Sequence, residues 1–195
     1  AGDWADNRPS LRPGGWPFEY ANDYYPDVDD TAVVALALDR MDREKFRENI
    51  ERAAEWIVGM QSKNGGWGSF DADNTYEYLN HIPFADHGAL LDPPTADVTA
   101  RCVGMLAQLD TEKYTSEITR GVEYLKADQE DNGSWFGRWG TNYVYGTWSV
   151  LCALNAAGED MNAPYIRKAV DWLKAQQGED GGWGEDGSTY WEETK

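Results

Sequence analysis

Apolar residues fall into three pairs of segments, and the two members of each pair differ in pattern. The first member is apolar on nearly every side, which is typical of a helix buried on all faces. The second carries its apolar residues on one stripe at helical spacing, as in Ile50, Ala53 and Ile57, and predicts a half-exposed helix. The first members are 31–41, 98–109 and 143–157. The helix pairs are predicted near 30–62, 96–130 and 142–178, with a long insert loop at 63–95.

A repeat closes each of these pairs. A glutamine is followed six residues later by a tryptophan, after one or two glycines. The three copies are Gln61 with Trp67, Gln129 with Trp135, and Gln177 with Trp183. Copies in register predict concentric layers of helices in which each repeat ties the half-exposed helix to the following turn. For the three tryptophans we favour a place in the core over a role in binding.

Composition narrows the possible partners. The chain of 195 residues is 41% hydrophobic, so we treat 1–195 as a single domain with a sizeable core. Its net charge of −18 argues against nucleic acid or an anionic lipid surface as the main partner. Cys102 and Cys152 lie in apolar runs without metal-ligand spacing, and we expect buried thiols in a reducing compartment. We find neither a signal peptide nor an apolar run long enough to cross a bilayer.

Three carboxylates, Asp27, Asp29 and Asp30, precede the apolar run that begins at Thr31. One interpretation is structural, because aspartates at a helix N-terminus accept free backbone N–H groups and suit the helix dipole. The other is chemical, because crowded carboxylates at the edge of a water-poor cavity raise one another's proton affinity. Such a group is a candidate general acid.

The insert loop carries a second group of polar residues. Oxygen ligands for Ca²⁺ are available at Asp71, Asp73, Asn74 and Glu77, but the spacing lacks the glycine and the distal glutamate of an EF-hand loop. We therefore predict no metal. Long loops in compact domains are usually functional, and we expect this loop to shape a cavity entrance.

Together these motifs resemble bacterial squalene-hopene cyclases over the whole length of the chain. The motifs are Asp27-Val28-Asp29-Asp30-Thr31-Ala32, the Gln-Trp repeats, Asn80-His81-Ile82-Pro83-Phe84, Asp92-Pro93-Pro94, Asp97-Val98-Thr99-Ala100 and the segment 133–140. The resemblance implies an all-α fold, about half of an (α/α)6 barrel built from three inner and outer helix pairs.

The same resemblance implies a class II cyclisation of squalene without metal or redox cofactor. The proton donor of the family falls on Asp29, and its flanking partners fall on Asp27 and Asp30. The histidine that activates the donor in some members corresponds to Arg101, whose permanent charge would stabilise the Asp29 carboxylate. Arg101 could instead pair with Asp97 one helical turn earlier, as a surface contact worth about 0.2–0.5 kcal/mol.

Aromatic residues are assigned by the same resemblance. Ring faces stabilise a migrating carbocation without offering a nucleophile. The family's pocket positions fall on Phe18, Phe70, Trp139 and Tyr145, and Asp97 is counted among the substrate-site residues. Phe84 resembles the segment that narrows the substrate channel.

Two other classes of function remain open. A metal-dependent class I terpene synthase needs an Asp-Asp-x-x-Asp pattern and basic contacts to diphosphate, which we do not find. A catalytically incomplete module that binds lipid or associates with itself is the main alternative. Half a barrel leaves the inner helices 31–41 and 143–157 partly uncovered, so we expect a homodimer or docking of the remaining half of the cyclase. The resemblance also implies a cytoplasmic protein bound peripherally to the cytoplasmic membrane.

Overall fold

The computed structural model describes residues 2–76, 78, 81 and 91–190, and its regular structure is almost entirely α-helical. In order, the elements are α1 (Trp4–Asn7), β1 (Trp16–Pro17), β2 (Pro26–Asp27), α2 (Val28–Asp42), α3 (Arg47–Gly59), α4 (Ala96–Asp110), α5 (Thr115–Ala127), α6 (Asn142–Ala156), α7 (Pro164–Ala175) and a 3₁₀ turn (Gly187–Tyr190). The two strands form a short antiparallel ladder. The all-α prediction is confirmed.

The chain divides into two compact units, Ala1–Pro94 and Thr95–Lys195. In the first unit, α2 packs against α3 and the two short strands. In the second, α4 packs against both α5 and α6, and α6 packs against α7. Each predicted pair of a first and a second helix is therefore present as packed neighbours.

Burial differs among the three first-member helices. Helix α4 is buried along nearly its whole length, as its continuous apolar run predicts. Helix α2 instead exposes Val33 at 46% and Met41 at 72%, as expected of an inner helix that half a barrel leaves partly uncovered. Its packing partners in its unit cover only the face that carries Val28, Ala32 and Ala35. In α6, Trp148 is likewise 39% exposed.

The three Gln-Trp repeats form the same turn. In each copy the tryptophan Nε1–H donates to a carbonyl near the end of the preceding helix, and the glutamine Nε2 donates to the glycine carbonyl four residues later. The tryptophan bonds are Trp67 to Ile57 at 2.7 Å, Trp135 to Leu125 at 2.6 Å and Trp183 to Leu173 at 2.7 Å. The glycine is left-handed in every copy, with φ between 82° and 98° at Gly65, Gly133 and Gly181.

Burial of the repeat tryptophans is not uniform. Trp67 and Trp135 have no exposed surface, in agreement with a place in the core. Trp183 is 48% exposed, so that expectation is wrong for the third repeat. The third turn forms the same hydrogen bonds as the first two although its ring is exposed. These bonds therefore do not require burial of the tryptophan.

The two cysteines also differ. Cys102 is buried in α4, as predicted, but Cys152 is exposed on α6 and the prediction of a buried thiol is wrong there. An apolar sequence run places a residue in a helix without deciding which face it occupies. Among the described residues, no helix has the length and apolar character needed to span a bilayer.

Candidate active site

The first unit places three carboxylates at the start of α2. Asp27 is the N-cap residue, and its Oδ1 accepts the backbone N–H of Asp30 at 3.0 Å. Asp29 and Asp30 lie in the first turn, where the helix dipole favours negative charge. The structural interpretation of the cluster therefore applies to Asp27.

The proton affinity of this cluster is raised. Asp27 is only 9% exposed, and burial is the main reason that its pKa rises to about 6; the Asp30 amide opposes this shift, and the nearby charges of Asp30 and Asp29 add to it. Burial also raises the pKa of Asp30. Asp29 is half-buried between them. A crowded, partly desolvated group of carboxyls is suited to holding a proton near neutral pH.

Hydrogen bonds from outside the helix fix the start of α2. The Thr31 hydroxyl donates to the Asp27 carbonyl at 2.6 Å and accepts the Trp16 backbone N–H at 2.8 Å. The Val28 N–H donates to the Ser69 carbonyl at 2.8 Å. The acid-bearing turn is thus tied to β1 and to the insert that follows α3.

Asp92 organises that insert, and sequence reasoning did not assign it a role beyond its place in a family motif. It is 7% exposed, and its carboxylate accepts the backbone N–H groups of Ser69, Phe70 and Asp71. The three amides precede Asp92 by more than twenty residues, so spacing alone could not reveal the contact. Phe70, a predicted pocket aromatic, is half-buried next to this carboxylate.

The other predicted aromatics of the first unit lie in different settings. Phe18 is 76% exposed, in the connection between β1 and β2. Three tyrosines in the same connection, Tyr20, Tyr24 and Tyr25, are also exposed. Phe84, the predicted channel residue, lies outside the described residues.

In the second unit, Asp97 is fully buried near the start of α4. It accepts a hydrogen bond from the Thr95 hydroxyl at 2.5 Å and from the Trp139 backbone N–H at 2.9 Å. Because Asp97 is buried, a pairing with Arg101, the alternative that the sequence left open, would not be a surface contact. Asp97 instead fixes the backbone position of a predicted pocket aromatic.

Arg101, one turn further along α4, lies against an aromatic pair. Its guanidinium carbon is 5.2 Å from the ring centroid of Trp148, a distance at which a cation is attracted to the ring face. Trp148 meets Tyr145 edge to face, with centroids 6.1 Å apart. Trp148 was not predicted as a site residue, although its position three residues after Tyr145 on a helix places both on one face.

Two glycines allow Tyr145 to pack closely on the preceding loop. A Cβ atom at either Gly137 or Gly140 would lie 2.5 Å from an atom of the Tyr145 ring, which no side chain can accommodate without a shift. Trp139 lies between these glycines, is 51% exposed, and has the Arg138 guanidinium carbon 5.3 Å from its ring centroid. The loop therefore holds Trp139 by its backbone N–H on the buried Asp97 and packs closely against the Tyr145 ring of α6.

Two acidic residues of the insert, Asp71 and Asp73, form contacts within the protein, and Glu77 lies outside the described residues. The Asp73 carboxylate pairs with Arg8 at 3.1 Å and accepts the Lys63 N–H at 2.8 Å. Asp71 accepts a hydrogen bond from Asn74, and burial raises its pKa. In the part of the chain that the structure describes, no three His, Cys, Asp or Glu side chains are arranged to hold a metal ion.

Comparison with known proteins gives a consistent result. Residues 1–195 match the family described as the squalene-hopene cyclase C-terminal domain. The chain is 61% identical over 194 residues to the squalene-hopene cyclase of Zymomonas mobilis and 60% identical to that of Bradyrhizobium diazoefficiens, covering 97% of this chain in both cases. It spans about 30% of the length of these relatives.

A solved structure shares the fold. The type II terpene cyclase MstE from Scytonema aligns with a TM-score of 0.62 and 22% identity, covering 89% of this chain and 47% of that one. At this identity the match supports the helical architecture alone.

Proposed function

The chain belongs to the squalene-hopene cyclase family, and on that premise we propose that it carries the proton-donating part of a class II terpene cyclase acting on squalene. The product is a polycyclic triterpene of the hopene type. The observation that carries the proposal is the cluster of Asp27, Asp29 and Asp30 at the start of α2, in which burial already raises the Asp27 pKa to about 6.

In this mechanism Asp29 is the general acid. Its carboxyl proton is transferred to the terminal alkene, whose π electrons form the new C–H bond and leave a tertiary cation on the adjacent carbon. Successive alkenes attack the cation and close rings, and loss of a proton or capture of water ends the sequence. A proton gained and a proton lost make the hydrocarbon product an isomer of the substrate.

The neighbouring groups make proton donation easier. A protonated Asp27 avoids a further negative charge beside the Asp29 carboxylate that proton donation leaves behind. The N-terminal dipole of α2 stabilises that carboxylate. The family resemblance alone assigns Arg101 a similar task, and within the second unit its guanidinium lies against the Trp148 ring.

Aromatic rings then carry the cation. Phe18, Phe70, Trp139 and Tyr145 are the proposed contacts, each worth about 0.5–2 kcal/mol to a nearby positive charge. Asp97 contributes by fixing the backbone of Trp139. These roles rest on the family resemblance and on the ring positions within each unit.

The test measures cyclised triterpene formed from squalene without added metal. We would assay the chain alone and the Zymomonas mobilis enzyme carrying this chain in place of its own matching segment of 194 residues. Asp29→Asn should lower product formation by about 10²-fold or more, as expected for loss of a general acid. Asp42→Asn, at the exposed end of the same helix, is the matched control and should leave the rate unchanged. Equal rates for Asp29→Asn and the parent would exclude Asp29 as the donor.

A second candidate is a module that associates with itself or binds lipid without catalysis. Exposed apolar side chains favour it, including Phe18 and Tyr20 in the first connection and Val33 and Met41 on α2. Sedimentation of the chain alone, with and without squalene-loaded vesicles, tests it. A chain that sediments as a monomer and does not bind the vesicles would contradict this candidate. For the proposed cyclase we also propose a peripheral location on the cytoplasmic membrane, because squalene partitions into lipid.

A further inference from the structure

We propose that Asp92 is a positioning residue that sets the geometry of both Phe70 and the acid-bearing turn of α2. The inference rests on the proposed function for its catalytic meaning, but its structural content can be measured separately. Asp92 touches neither the acid cluster nor the substrate in this proposal. It acts through one backbone turn, Ser69–Asp71.

The contact between Asp92 and this turn uses both carboxylate oxygens. Oδ1 accepts the Ser69 N–H at 3.0 Å, and Oδ2 accepts the N–H groups of Phe70 and Asp71 at 2.6 and 2.7 Å. Hydrogen bonds to an ionised acceptor are about twice as strong as neutral ones. Three bonds to consecutive amides therefore fix the backbone on both sides of Phe70 and limit where its ring can lie.

Close packing reinforces this arrangement. A Cβ atom at Gly68 would lie 2.7 Å from the Asp92 Oδ2 and 2.6 Å from the Asp92 carbonyl oxygen. Only glycine at position 68 lets the turn approach the carboxylate so closely. An isolated β-bridge between Asn74 and Asp92 holds the other side of the insert.

The turn is coupled directly to the acid cluster. The Ser69 carbonyl accepts the N–H of Val28 at 2.8 Å. Val28 is fully buried and lies between Asp27 and Asp29 in the sequence. The path from Asp92 to the α2 start thus contains two hydrogen bonds and one peptide unit, and a shift of the turn moves the first residue of α2.

One carboxylate consequently serves two parts of the proposed reaction. It holds an aromatic ring assigned to cation stabilisation, and it supports the backbone that presents the proton donor. A purely structural aspartate would stabilise the fold without linking these two places. The distinguishing property is therefore coupling between the Ser69–Asp71 amides and the Val28 amide.

Hydrogen exchange of the backbone amides in the 195-residue chain tests the coupling. In Asp92→Asn, one amide oxygen replaces two carboxylate oxygens and an N–H₂ donor faces the turn. We expect exchange at Phe70, Asp71 and Val28 to accelerate at least 10-fold together. The matched control is Asp73→Asn in the same insert, which removes the charge that pairs with Arg8 and should leave the Val28 amide unchanged.

Two results would overturn the proposal. One is faster exchange at Phe70 and Asp71 with Val28 unaffected, which would make Asp92 a local clamp only. The other is equal acceleration at Val28 in the Asp73→Asn control, which would indicate general loosening of the insert. If Asp92→Asn does not fold, Gly68→Ala displaces the carboxylate without removing it and should accelerate the same three amides.

Activity gives an independent readout in the Zymomonas mobilis enzyme carrying this chain. Asp92→Asn should lower kcat at least 10-fold with little change in KM, and should raise the share of incompletely cyclised products because Phe70 is misplaced. An unchanged kcat and product pattern would contradict a positioning role. If the parent itself forms no product, the proposed function fails, whereas the exchange experiment on the chain still decides the coupling.

Discussion

Asp27 and Asp92 are buried to nearly the same extent, 9% and 7% exposed, but the protein satisfies their carboxylates very differently. Asp92 accepts three backbone N–H groups, whereas Asp27 accepts the Asp30 N–H, with a smaller contribution from the Asp29 N–H, and faces two further acidic residues. Burial with many donors gives a side chain whose position the backbone fixes. Burial with few donors gives a carboxyl that keeps its proton to higher pH. The contrast separates supporting residues from candidate proton-handling residues.

The largest effect should follow from removing the fully satisfied carboxylate. Asp92→Ala leaves three backbone N–H groups without their acceptor, and we expect a loss of about 3–5 kcal/mol in the free energy of unfolding. Urea denaturation measures it. Asp110→Ala is the control, because Asp110 is exposed and its carboxylate accepts the Lys113 N–H at the surface, and it should cost less than about 1 kcal/mol. Equal losses of stability in the two variants would show that the three hydrogen bonds to Asp92 add no more than one exposed hydrogen bond does.

A methyl group beside the same carboxylate should have a smaller effect. Gly68→Ala forces a Cβ to within 2.7 Å of the Asp92 Oδ2, and we expect destabilisation by about 1–3 kcal/mol. Gly104→Ala on α4 is the matched control, because a Cβ there meets its nearest atom at an ordinary 3.8 Å. That variant should be neutral or stabilising by up to about 1 kcal/mol. A destabilised Gly104→Ala would show that the glycine contacts do not explain the effect.

Stability should depend on pH through Asp27. Its pKa rises from 3.8 to about 6 in the folded protein, so the native carboxyl holds a proton that the unfolded chain has released. This contribution is fully present below pH 4 and is lost as the pH rises through about 6, by roughly 3 kcal/mol. Asp27→Asn should flatten that part of the profile. Asp128, whose pKa burial also raises to about 6, leaves a residual slope. If stability depends on pH in Asp27→Asn as it does in the parent, the raised pKa of Asp27 is not the cause of that dependence.

The smallest effect concerns the capping bond of Asp27. Asn keeps a side-chain oxygen for the Asp30 N–H and Ala does not, so Asp27→Ala should be less stable than Asp27→Asn by about 1 kcal/mol. Comparing the two variants with each other cancels the effect of removing the charge. Thermal unfolding at a single pH above 7 measures the difference. Equal stability would mean that the cap contributes nothing.

Much of the fold could be predicted because its signals are local. Apolar periodicity placed the three helix pairs, and the fixed spacing from glutamine to tryptophan marked three turns that share the same hydrogen bonds. Burial could not be predicted in the same way. Trp183 and Cys152 are exposed because solvent access depends on what packs over a residue, which no local pattern contains.

In the candidate site, too, features with a local sequence signal could be predicted, and contacts between distant residues could not. The acid cluster was visible as three carboxylates within four residues, and its position at a helix start followed from the adjoining apolar run. The role of Asp92 was not visible, because its contacts join residues more than twenty positions apart in the sequence. Trp148 was missed because cation contacts such as the one with Arg101 join different helices.

Solvent deuterium labelling of the product tests whether cyclisation begins with proton donation by Asp29. Squalene is incubated in D₂O, without added metal, with the Zymomonas mobilis enzyme carrying this chain. If cyclisation begins with a carboxylic acid that exchanges with solvent, each cyclised molecule gains one deuterium, and Asp29→Asn yields at least 10²-fold less of it. Cyclised product without deuterium, or labelled product at the parent rate from Asp29→Asn, would contradict proton donation by Asp29.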